Sequence, residues 1–131
     1  MNFLLDTDTC VFWLRGHAGL RQRVAGLKVS ELAISAVTLA ELHYGAACST
    51  HPEENHRAVE GFASALIVLG VEAQVARAFG EIKGHLRQQG RLLEDADLFI
   101  AATAQVYGLT LVTNNGAHFA RIAGLAIDTW T

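Results

Sequence analysis

Short apolar runs alternate with amphipathic stretches along the whole chain, and their periods read as strands and helices in turn. Residues 2–5 (Asn-Phe-Leu-Leu) form a buried-strand candidate, and residues 7–14 continue as a helix punctuated by Gly16 and Gly19. A helix over about 18–26 leads to a second strand at Leu32, Ala33 and Ile34, after which Ser35 or Thr38 caps a helix reaching about Ala47. Beyond Pro52, the spacing of Val59, Phe62, Ala63 and Leu66 marks another amphipathic helix, followed by a strand at Ile67, Val68 and Leu69 that Gly70 ends. Val71, Val75, Phe79, Ile82 and Leu86 recur at helical spacing. They predict one helix from about 72 to 88, packed on the sheet by its apolar stripe and stopping near Gly90. A helix from about Asp95 to Tyr107 is expected next, with Gly108 past its end, then a strand at 109–113 and a last strand at 125–127. Such alternation predicts a three-layer α/β/α domain with a short central parallel sheet, in which ligands bind outside the carboxyl ends of the strands.

Composition narrows the class. The chain has 131 residues, 51% hydrophobic and 18% charged, with a single proline, enough for one domain over 1–131 that buries its core without disulfides or structural zinc. No linker, repeat or low-complexity tract interrupts it; residues 49–55 come nearest to a loop insertion. Cys10 and Cys48 lie far apart with no CxxC pair, which predicts reduced structural thiols. No apolar run approaches the roughly 18–20 residues of a membrane span, and the N-terminus enters FLLD without a basic start and cleavage site, so a cytoplasmic protein is expected. A net charge of −3 argues against a DNA-coating protein with a broad basic face, but not against a nuclease. Most of the cations are arginines, which suit phosphate contact, although solvated helix faces explain any one of them as well.

The acids carry the chemistry. Asp6 falls at the junction of the first strand and helix, where Thr7, Asp8 and Thr9 serve equally well as caps. Thr38-Leu39-Ala40-Glu41 has the form of a capping box, which gives Glu41 a structural role. Glu94, Asp95 and Asp97 crowd the first turn of a helix, with Asp95 read as the cap, while Asp97 shares a face with Ile100, Ala101 and Ala104. A carboxylate held ionised among apolar groups needs a cation. No HxH or HExxH pair exists, which excludes a typical zinc hydrolase, and His43, His85 and His118 read as ordinary polar contacts. A carboxylate pocket selects Mg²⁺ or Mn²⁺ and points to phosphodiester chemistry, in which a metal acidifies water and a second ion, where present, stabilises the leaving oxygen.

The stretches FLLDTDTCVFWL, ISAVTLAELHYGA, GRLLEDADLFIAATA and LVTNNGAHFARIAGLAIDTW resemble PIN-domain ribonucleases of the VapC toxin type over nearly the whole chain. The resemblance implies a metal-dependent endoribonuclease with Asp6, Glu41, Asp97 and Thr113 as catalytic residues, and with Asp6 and Asp97 as ligands of Mg²⁺ or Mn²⁺. No other cofactor is implied. Asp8, where the family usually has asparagine, forms a secondary site with Asn114 and Asn115. The chain departs from the family at His118, which precedes Phe119 where many relatives carry an acid. The family's biology implies a type II toxin–antitoxin pair, a VapB-type antitoxin, a homodimer, and RNA of the transfer class as substrate. Two other readings compete. Asp6-Thr7-Asp8 mimics the DxD of haloacid-dehalogenase phosphatases, but Cys10 departs from that motif, and neither Lys28 nor Lys83 follows a strand end. A degenerate, noncatalytic protein- or nucleic-acid-binding module is compatible with His118, whereas three mutually repelling acids argue against it.

Overall fold

Successive side chains of a strand point to opposite faces, so strands made only of apolar residues require cover on both sides. In the computed structural model, which describes residues 1–131, a five-stranded parallel sheet of order β3-β2-β1-β4-β5 meets that requirement. The strands are β1 (Phe3–Leu5), β2 (Leu32–Ser35), β3 (Ile67–Leu69), β4 (Thr110–Val112) and β5 (Ile127–Asp128). Leu4 aligns with Ala33 and Leu111, and Leu5 with Ile34 and Val112. Leu4, Ala33 and Leu111 share one core, whereas Leu5, Leu32, Ile34 and Val112 share the other.

Helices α1 (Thr7–Leu14), α2 (Ala18–Ala25), α3 (Ala36–Ala47) and α4 (Pro52–Ser64) contribute to the core on the Leu5 side. Helices α5 (Ala73–Gln88), α6 (Asp95–Tyr107) and the short α7 (Gly116–Phe119) contribute to the core on the Leu4 side. The expected α/β/α layering is therefore present. Helix α5 packs chiefly on α6, with Phe79 stacked on Phe99 at 3.9 Å between ring centroids, while its Leu86 joins the core that Leu4, Ala33 and Leu111 share. Helix α6 buries Leu98 and every residue from Ile100 to Ala104, so it is the most fully buried helix on that side of the sheet.

Differences occur where elements are short. A 3₁₀ turn at Val29–Glu31 and helix α7 have no counterpart in the hydrophobic period, and β5 begins at Ile127. Both cysteines are free, Cys10 buried and Cys48 exposed. No helix is long and apolar enough to cross a membrane. The chain leaves β1 to pair β2 on one side and later lays β4 against its other edge. The connections at the carboxyl ends of β1 and β4 therefore diverge and open a crevice between them.

Candidate active site

Asp6 leaves the carboxyl end of β1 as the N-cap of α1, with its Oδ1 accepting the Thr9 N–H at 2.9 Å. It is only 4% exposed. Burial raises its pKa above the usual carboxylate value; hydrogen bonds with the Thr113 hydroxyl and with Thr9 oppose that rise, and the charge of Asp8 adds to it. Thr113 is fully buried beyond β4, where its hydroxyl oxygen also accepts the Asn115 N–H at 2.9 Å. It thus stands behind Asp6 and does not line the crevice.

Glu41 comes from α3. The Thr7 hydroxyl donates to Glu41 Oε1 at 2.5 Å and lies 3.3 Å from the Thr38 hydroxyl. The capping box expected of Thr38 and Glu41 is not formed. Ser35 caps α3 by accepting the Val37 N–H at 3.0 Å, which puts Thr38 inside the helix and frees Glu41 for a tertiary contact. Asp97 lies in the first turn of α6, whose N-cap is Glu94 and not the expected Asp95. Asp95 pairs outward with Lys83 at 2.8 Å. Burial, then the charges of Glu41, Glu94 and Asp6, push the Asp97 carboxyl up to about 6, and His118 pulls it back down.

These side chains meet in a cleft of about 240 Å³ lined by Asp6, Thr7, Asp8, Glu41, Glu94, Asp97, Asn115 and His118, none of them apolar. Asn115 Nδ2 donates to Asp8 Oδ2 at 3.1 Å. Asn114 is not among them, since its side-chain oxygen accepts from the Thr131 hydroxyl instead. Thr7 and Glu94 escaped the sequence reading because each had an ordinary explanation as a cap or a helix-dipole acid, and His118 stood out there only as a departure from the family. The available signal for His118 was its place directly before Phe119, which is fully buried and pins α7. A larger, partly apolar groove of about 410 Å³ runs beside the cleft and includes residues of α1, α3 and α4, and Glu41 borders both.

No three Asp, Glu, His or Cys side chains are closed into a ready group of metal ligands. The donor chemistry nevertheless fits a hard divalent cation: the cleft is carboxylate-rich, and Asp97 ionises only against the repulsion of its neighbours. Neither lysine lines the cleft, so a phosphoaspartate mechanism lacks its phosphate-binding cation.

The sequence matches the family model of the PIN domain over residues 3–125. It is 40% identical, over 100% of this chain and 99% of the relative, to the tRNA(fMet)-specific endonuclease VapC of Shigella flexneri. Among solved structures, DNA-bound VapBC from Salmonella typhimurium superposes with a TM-score of 0.94 at 41% identity, covering 100% of this chain and 99% of that one. VapBC2 from Rickettsia felis, bound to a promoter DNA fragment, gives 0.92 at 33% identity over the full length of both chains.

Proposed function

The chain belongs to the PIN-domain family, among the VapC ribonucleases, and from that premise we propose that its acidic cleft hydrolyses RNA phosphodiester bonds with a divalent cation. The observation that carries this reading is the meeting of Asp6, Glu41 and Asp97, from three separate elements, in one cleft without apolar lining. In the proposed arrangement Asp6 and Asp97 hold Mg²⁺ or Mn²⁺, Thr113 positions Asp6, and Glu41, held by the Thr7 hydroxyl, accepts the proton of the attacking water. The cation, when bound, neutralises phosphate charge and lowers the pKa of water at the site. Asp8 and Asn115, tied to each other at the rim, contribute to orienting the substrate.

Full-length similarity to a relative named for tRNA(fMet) supports tRNA(fMet) as the substrate to test first. Similarity to the toxin chains of VapBC structures supports a toxin–antitoxin role with a VapB-type antitoxin as partner. The homodimer implied by the family resemblance and a single domain over 1–131 belong to the same proposal. Purified protein incubated with total RNA and Mg²⁺ or Mn²⁺ is expected to yield discrete, chelator-sensitive fragments that Asp97→Asn does not produce. Equal cleavage by that variant would reject the assignment. A folded, cation-binding wild type that cuts no RNA would favour the noncatalytic module.

A further inference from the structure

The cleft mixes two kinds of donor. Its carboxylates, the Thr7 hydroxyl and the Asn115 carboxamide offer oxygens, whereas His118 is the one lining residue with a basic ring nitrogen. An ion pair with the surrounding acids is the ordinary explanation for a histidine there. His118 makes none of the three close ion pairs, and its charge reaches Asp97 only over a longer distance. The residue is nevertheless held in place. Phe119 is fully buried beside it, and the His118 N–H donates to the Asn115 carbonyl at 3.0 Å. The Asn115 N–H in turn donates to the Thr113 hydroxyl, which helps to hold down the pKa of Asp6. The His118 backbone is therefore coupled to the same support as the buried acid, while its side chain is exposed at the cleft and its charge is felt at Asp97.

We propose that His118 supplies a nitrogen donor to the cation held by Asp6 and Asp97, so that the site prefers a first-row transition ion to Mg²⁺. The proposal rests on the metal-dependent reading above. Mg²⁺ favours oxygen donors and gives up its waters reluctantly, so an imidazole adds little to its binding. Ions of the transition series accept imidazole more readily than Mg²⁺ does, Mn²⁺ least among them, so a mixed set raises their affinity relative to Mg²⁺.

Mn²⁺ is the probe, because its binding can be titrated without RNA and it is visible by paramagnetic resonance. Wild type, His118→Ala, His118→Asp and Asp97→Asn are titrated with Mn²⁺ and with Mg²⁺, and the Mn²⁺-loaded proteins are examined for nitrogen hyperfine coupling. Wild type is expected to show that coupling and to bind Mn²⁺ more tightly than Mg²⁺. In His118→Ala the coupling disappears and Mn²⁺ affinity falls roughly tenfold while Mg²⁺ affinity hardly changes. His118→Asp loses the coupling and shifts preference toward Mg²⁺, and Asp97→Asn loses both ions. Bound Mn²⁺ without nitrogen coupling in wild type, or an unchanged Mn²⁺-to-Mg²⁺ ratio in His118→Ala, overturns the role of His118. Loss of binding in Asp97→Asn would then leave the metal-dependent reading standing. Failure of wild type to bind either ion overturns both.

Discussion

Asp97 carries the sharpest electrostatic conflict in the molecule, with a carboxyl raised from 3.8 to about 6 by burial and by Glu41, Glu94 and Asp6. A carboxyl whose pKa is higher folded than unfolded holds its proton more tightly in the fold. Its contribution to stability is therefore full below about pH 4 and is lost as pH rises to about 6; Asp6 is shifted in the same direction. Asp97→Asn should melt close to wild type at pH 4 but higher at pH 7, both in chelator. The side chain is partly exposed, and after discounting for solvent screening the gain is on the order of 1 kcal/mol, or a few degrees. A melting difference that is the same at both pH values would remove the conflict from the account. Glu41 offers a second contrast. Because Ser35 and not Glu41 completes the cap of α3, Glu41→Gln should abolish RNA cleavage yet alter stability by less than about 0.5 kcal/mol in urea unfolding.

Helix α3 tests the same point through its own end. Ser35→Ala removes the side chain that satisfies the Val37 N–H and should cost about 1 kcal/mol in urea unfolding, with Glu41 less well held and cleavage slowed. Gly108 ends α6 in the left-handed region at φ +65°, so Gly108→Ala should cost about 1 kcal/mol by the same measurement. Helix α5 was legible because many residues repeat one period, and α1 and α6 because capping residues and glycines mark their ends; all three fall within a residue of their expected bounds. The four residues of α7 are too few to show a period, yet α7 carries His118. The cap of α3 was ambiguous for a different reason. Ser35 and Thr38 both qualify by type, and the contact that separates them, Thr7 to Glu41, spans 34 positions of sequence.

At the scale of the whole molecule, the cleft exists because β1 lies between β2 and β4 in a parallel sheet, so chain segments from three regions converge at one edge. A cation bound there links those segments, and binding to the folded state alone stabilises it. Wild type should gain about 2.7 kcal/mol at a hundredfold excess of Mg²⁺ or Mn²⁺ over its Kd, whereas Asp97→Asn should gain little, both read as thermal shifts. Equal shifts in the two proteins would put the cation elsewhere. The sequence by itself determined the alternation of strands and helices, the parallel two-faced sheet and the identity of the acids, since these follow from local period and residue type. Only the tertiary structure decided that Glu41 faces Thr7, that Asn114 turns away to Thr131, and that Glu94 and His118 enter the cleft. Those outcomes depend on which side chain wins a contact between distant segments, and neither period nor propensity carries that information.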